Sequence, residues 1–287
     1  MKKTLIFGAT GMLGQALMAE SRERGWEVLG AARSGTDLLV DLMDWTHLST
    51  SIKRISPRVV INAAGITDLA QCEDDPLAAW RINACAVGVM AEACRDLGCQ
   101  LLQVSTDHYF TGDGAARHDE EAPVRLVNEY ARSKFAGEAF ARLCPQALVV
   151  RTNITGRRGL ASRPTFAEWL SSVVNQDAEV TLFDDFFTST LDTENCAKGL
   201  LDLIDIGYRG LINLASSEVA SKKEFAQALA AAMGRPLSRI TVGSVKALQP
   251  PRAESLGLDV TVAEKLLGRS LPGLQQVVES LAKMSLS

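Results

Sequence analysis

With 287 residues, 47% of them hydrophobic and 22% charged, the chain can bury a substantial core, and its composition is that of an ordinary globular protein. A formal net charge of -4 offers no basic field for a phosphate backbone, so nucleic acid is not an expected partner; a small anion held by local backbone donors stays open. No run approaches the ~20 apolar residues of a membrane span, Lys2 and Lys3 precede too short an apolar stretch for a signal peptide, and Cys72, Cys85, Cys94, Cys99, Cys144 and Cys196 form no CxxC or metal-ligand spacing, so the reading is a cytoplasmic, membrane-free, metal-free protein with reduced thiols.

The first apolar run, Thr4–Phe7, leads directly into Gly8-x-x-Gly11-x-x-Gly14, after which Met12–Arg24 keeps helical spacing. A glycine turn between any strand and helix can be merely structural. Directly after an N-terminal strand, however, glycines at these positions permit a tight turn and a close backbone approach to a pyrophosphate at a helix N-terminus. Gly8, Thr10, Gly11, Met12, Leu13 and Gly14 are therefore expected to bind a dinucleotide. The second run, Glu27–Gly30, is followed by Ala31-Ala32-Arg33-Ser34, where an NAD-selective site would offer an acid to the ribose. Arg33, with Ser34 beside it, favours NADP(H) by pairing with a 2′-phosphate; the rival readings are an exposed loop arginine and NAD(H).

Val59–Ile61, Leu101–Val104 and Ala147–Val150 read as further buried parallel strands, with Pro76–Leu97 and Val127–Leu143 as helices between them. Alternating strand and helix implies an α/β fold of the Rossmann kind, a doubly wound parallel sheet with helices on both faces. The fourth strand ends in Ser105-Thr106-Asp107, at the carboxyl edge where such sheets place ligands. There Thr106 can hydrogen-bond a carbonyl or a reacting hydroxyl, or simply cap the following turn. Tyr130 and Lys134, four apart, share one helix face. The ammonium can stabilise a phenolate and turn a poor acid of pKa ~10 into a usable proton donor, although Tyr-x-x-x-Lys pairs also arise for surface reasons.

Past residue 155 the pattern loosens into a smaller C-terminal substrate-binding lobe. Thr165–Asn175 reads as helix, Val180–Phe183 as extended, Asp192–Asp205 as helix, Leu211–Ala215 as extended and Lys222–Met233 as helix. The Pro250-Pro251 pair and Ala253–Asp259 read as loop, and Leu274–Lys283 as a final helix. The expected division is a dinucleotide-binding domain at 1–155, rejoined by about 186–216, and a lobe made of 156–185 and 217–287.

The glycine turn, Asn62-Ala63-Ala64-Gly65, Ser105-Thr106-Asp107 and the Tyr130/Lys134 pair, in that order, give a sequence that resembles the extended short-chain dehydrogenase/reductases. Asp41-Leu42, Asn83-Ala84, Glu121-Ala122-Pro123, Asn128 through Glu138, and Leu256–Asp259 beyond Pro251-Arg252 make it most similar to the dTDP-4-dehydrorhamnose reductase family. The resemblance implies Tyr130 as proton donor, Lys134 holding the nicotinamide ribose, and Thr106 orienting a keto oxygen. It further implies Asp41 and Leu42 beside the adenine, and Ala63, Ala64, Gly65 and Ser105 along the cofactor. Asp107, His108 and Asn153 would border the substrate. Three positions depart from the family pattern: Asn153-Ile154 in place of a serine and tryptophan, His108 in place of an aromatic, and Phe187–Thr190 without its usual proline. The expectation is an NADPH-dependent reductase of a nucleotide-activated 4-keto-6-deoxy sugar, with a homodimer left open. The alternatives are an NAD-dependent nucleotide-sugar epimerase or dehydratase, and a non-catalytic dinucleotide-binding regulatory subunit.

Overall fold

A computed structural model describes residues 2–160, 162 and 164–285. Two compact units are present, the first made of Met1–Thr106, Leu126–Arg151 and Ala197–Ile212, the second of Asp107–Arg125, Thr152–Cys196 and Asn213–Ser287. The segment Asp107–Arg125 belongs to the second unit, a placement that helix and strand periodicity did not anticipate. Its strand Arg117–His118 pairs with Ser255–Leu258, far along the chain.

The first unit is built on seven strands: β1 (Lys3–Phe7), β2 (Glu27–Ala32), β3 (Leu38–Leu39), β4 (Val59–Asn62), β5 (Gln100–Val104), β6 (Leu148–Arg151) and β7 (Gly210–Asn213). They lie in the order β7-β6-β5-β4-β1-β2-β3. Pairing is parallel from β3 through β6, with Phe7 opposite Ala31 on one side and Asn62 on the other. This is the doubly wound sheet expected from the sequence, and its order reverses at β1 and β4. Their carboxyl ends open the crevice where such sheets bind ligands.

The strands are continuous apolar runs because both faces are covered. Leu5, Phe7, Val60, Leu101 and Val149 are buried against Leu48, Ile52, Val87, Met90 and Ala91. Of these, Leu48 and Ile52 belong to α2 (Trp45–Ile55) and Val87, Met90 and Ala91 to α3 (Pro76–Leu97); α1 (Met12–Glu23) and α4 (Glu129–Ala141) are further helices of this unit. Among the described residues α3 alone is long and apolar enough to cross a membrane, and half of it is buried inside the fold. Packing onto α2 and β5 accounts for its apolar face. Residues Arg81–Cys85 within it form one π-helical turn, a local widening that often marks a functional site.

In the second unit Ala220–Ser221, Phe187–Thr188, Ser255–Leu258 and Arg117–His118 form a four-stranded sheet in that order. The sequence reading of Ala253–Asp259 as loop is corrected here. Ser255–Leu258 is wholly buried and pairs on both edges, which the preceding prolines do not prevent because they lie outside it. The predicted helix near Thr165 begins where its side chain closes a capping box with Glu168, and Ser221 caps Lys222–Ala232 in the same way with Glu224.

Candidate active site

At the carboxyl end of β1 the chain turns through Gly8 at φ +79°, a conformation that disfavours any side chain. A Cβ there would also lie 2.8 Å from the Ala64 nitrogen, so the turn after β1 and the loop after β4 touch backbone to backbone. At Gly14 a Cβ would come within 2.0 Å of the Gly8 carbonyl oxygen, and the Gly11 N–H donates to that same oxygen at 2.9 Å. The three glycines thus press the first turn of α1 onto the end of β1. Gly11 caps α1 with no side-chain hydrogen bond. The helix therefore presents its leading N–H groups, from Met12, Leu13 and Gly14, and the positive end of its dipole at the sheet's edge, which is the requirement of a pyrophosphate. The residues fit a dinucleotide because the cradle is one that a single methyl group would fill.

Around that turn, Thr10, Arg33, Ser34 and Asp41 are exposed, and Leu42 is buried. The Asp41 carboxylate accepts from Met43 N at 2.9 Å, holding the loop after Val40. Asp37 accepts from Gly30 N, also at 2.9 Å, and fastens the stretch Arg33–Asp37 back onto β2.

Tyr130 and Lys134 lie on α4, whose first turn is capped by the Asn128 side chain accepting from Ala131 N. Both are buried, Tyr130 among Ile66, Leu69, Cys72 and Ala79. The Lys134 Nζ donates to the Val104 carbonyl at 2.7 Å, at the very end of β5 and two residues from Thr106. It also lies 3.9 Å from where a Cβ on Gly65 would stand. One ammonium therefore brings together the end of β5, the loop after β4 and the helix that carries the tyrosine. Burial pulls the Lys134 pKa down to about 8, with the Glu138 carboxylate pulling the other way. The ammonium thus stays charged at neutrality while being easier to discharge than a surface lysine.

Two supporting residues escaped the reading of the sequence as chemistry. Asn83, in the π-helical turn, accepts from Ile66 N at 2.9 Å and donates to Ile66 O at 3.0 Å and to Ser133 Oγ at 3.1 Å. A Cβ on Gly137 would meet the Asn83 carbonyl at 2.2 Å, so α4 can approach this turn only through a glycine. Glu138 accepts from Ser105 Oγ at 2.6 Å and, with both oxygens, from Arg151 Nε at 3.0 Å and Nη2 at 2.9 Å. Ser105 was expected along the cofactor, and its hydroxyl proton is directed to Glu138 inside the sheet. The sequence signal for both residues was present in the Asn83-Ala84 pair and in the stretch ending at Glu138, but neither carried a chemical role.

The chain matches the family described as "RmlD substrate binding domain" over residues 1–285. It belongs to that family. A relative along nearly its whole length is the "probable low-salt glycan biosynthesis reductase Agl14" of Haloferax volcanii, 29% identical over 96% of each chain. The dTDP-4-dehydrorhamnose reductase of Mycobacterium tuberculosis is 34% identical over 76% of this chain and 70% of its own. The crystal structure of a dTDP-4-dehydrorhamnose reductase from Bacillus anthracis in complex with NADP shares the fold with a TM-score of 0.88. It is 23% identical and covers 99% of this chain and 100% of that one.

The second unit of this RmlD-family chain gathers the other expected residues. Asn153 Nδ2 donates to Asp107 Oδ2 at 2.7 Å, and its Oδ1 accepts from Thr190 Oγ1 at 2.8 Å, next to the Thr188 hydroxyl at 2.9 Å. Asn153 thus binds the segment after β5 to Phe187–Thr190, the stretch that lacks the family's proline. His108 Nε2 lies 4.0 Å from Asp107 Oδ1. Burial, and after it the charges of Lys222 and Arg252, lower the His108 pKa to about 4, so the imidazole is neutral at pH 7. Among the described residues no group of His, Cys, Asp and Glu side chains could hold a metal ion.

Proposed function

We propose that the chain is a cytoplasmic NADPH-dependent reductase of a nucleotide-activated 4-keto-6-deoxy sugar. The observation that carries the reading is the Lys134 ammonium, buried on the Tyr130 helix and hydrogen-bonded at the end of β5 two residues before Thr106. The names of the relatives, reductases of such sugars, agree with it.

The glycine turn and the leading N–H groups of α1 bind the pyrophosphate, and Ala63–Gly65 run alongside it. Arg33, exposed beyond β2, takes the 2′-phosphate in two-pronged geometry. When bound, the nicotinamide supplies a hydride to the C4 ketone. Thr106 orients the keto oxygen through its hydroxyl. Tyr130 gives that oxygen its phenolic proton as negative charge develops there. Lys134, charged below about pH 8, holds the ribose hydroxyls and stabilises the phenolate left behind. Asn83 and Glu138 act through others: Asn83 fixes the loop at Ile66, and Glu138 fixes Ser105 beside Thr106.

NADPH oxidation with dTDP-, GDP-, UDP- and CDP-linked 4-keto-6-deoxy sugars tests the reading. At least one should be turned over, and Tyr130→Phe should lower kcat by about 100-fold or more, the usual contribution of a positioned proton donor. An unchanged rate in Tyr130→Phe, or no oxidation with any of the four, defeats it. Arg33→Ala should abolish the preference for NADPH over NADH in binding; a preserved preference removes Arg33 from the assignment.

A further inference from the structure

The second unit carries a set of charges that the reaction leaves unused. Lys222 opens the helix Lys222–Ala232, and its ammonium stands 4.8 Å from the centroid of the Phe166 ring and 5.5 Å from that of Phe186. The two rings hold a cation in place without neutralising it. Asp107 is the carboxylate that acts on Lys222, but one of its oxygens already accepts from Asn153 and the other faces His108. The Arg252 Nε is buried with no hydrogen-bond partner among the described residues. Neither the Lys222 nor the Arg252 side chain has an ion pair among them. Both cations lie within electrostatic reach of His108 and lower its pKa to about 4, after burial. Burial also takes Lys222 down to about 8, so at neutrality it is still charged. Two cations, Lys222 and Arg252, thus act on the neutral His108 imidazole, and Asp107 is the carboxylate that acts on Lys222. Positive charge in a desolvated setting is costly by itself and is relieved when a ligand brings the counter-charge.

We propose that Lys222 and Arg252, with His108 beside them as a neutral hydrogen-bonding group, form an anion site that takes an oxyanion of the substrate. Two sources share that chemistry: a phosphoryl group of the nucleoside diphosphate and a carboxylate on the sugar. The identity of the ligand rests on the nucleotide-sugar reading above, whereas the site itself does not.

Calorimetric titration of the whole protein with inorganic pyrophosphate and, separately, with glucuronate tests the site directly. One of the two should bind to the wild type, pyrophosphate assigning the phosphoryl source and glucuronate the carboxylate. Lys222→Met and Arg252→Met should each weaken that binding about tenfold, the effect of losing roughly one charge contact, while NADPH affinity stays within twofold of wild type and reports an intact fold. The site is refuted if neither anion binds to the wild type, or if both variants bind as tightly as wild type. A failed reductase reading shows itself separately, as anion binding without NADPH oxidation by any keto sugar.

Discussion

Replacing Glu138 tests how the interior of the first unit supports the chemistry at its edge. Its carboxylate is 2% exposed and faces Arg151, 3% exposed, through two hydrogen bonds of 2.9 and 3.0 Å, with Ser105 Oγ as a third donor. Glu138→Leu takes the carboxylate away and leaves the guanidinium in the same low-dielectric place, a change that costs about 3–5 kcal/mol. Replacing both partners, Glu138→Leu with Arg151→Met, removes the buried charge altogether and should return the stability to within about 1 kcal/mol of wild type, because a buried pair and an apolar pair of similar volume are nearly equivalent. Urea unfolding of the four proteins gives the cycle, with a coupling of several kcal/mol expected. A second readout lies at the site. Since the Glu138 charge raises the Lys134 pKa, its loss moves the alkaline limit of dinucleotide binding below about pH 8. Stable single variants, or a double variant as weak as the sum of the singles, would refute the assignment of Glu138 and Arg151 as a buried, mutually dependent pair.

Gly14→Ala places a methyl group 2.0 Å from a backbone oxygen that cannot swing aside, so it should cost about 1–3 kcal/mol in stability and weaken NADPH binding at least tenfold by fluorescence titration; unaltered binding would remove the turn from the cofactor site. In the free protein, dinucleotide binding should decline as pH rises through about 8, where Lys134 loses its proton. The stability term of the same lysine runs the other way. Its folded pKa, about 8, lies below its ordinary 10.5, so between these values the unfolded chain holds more protons and this group's contribution to stability increases with pH. Loss of binding near pH 8 with no loss of thermal stability therefore identifies titration, while a parallel loss of both refutes it.

Much of this architecture could be read along the chain because its determinants are local. A strand followed by glycines three apart dictates a turn and a helix start whatever the rest of the chain does, and Tyr130 and Lys134 share a face through helical spacing alone. The parts that could not be read depend on distant partners. Phe187–Thr188 and Ser255–Leu258 are strands only because they pair with each other, with Arg117–His118 and with Ala220–Ser221, and two-residue segments carry no period to detect. Asn83 occupies what reads as an uninterrupted helix, and its value comes from a π-helical turn that aims its amide at Ile66 and Ser133.

Lys222, in the second unit, shows the same limit. In sequence it is one of two adjacent lysines at the start of an amphipathic helix, which is where a solvated surface charge is expected. Its surroundings come instead from Phe166, Phe186 and Asp107, residues 56, 36 and 115 positions away along the chain. The motifs to which we assign cofactor and proton chemistry are therefore short-range and legible, while the charges of the proposed anion site are assembled by the fold. Asn153 and His108, two of the three departures from the family pattern, adjoin the same carboxylate that acts on Lys222. With the proposed anion site, a double substitution at Lys222 and His108 should give non-additive binding energies, and additive ones would separate His108 from Lys222.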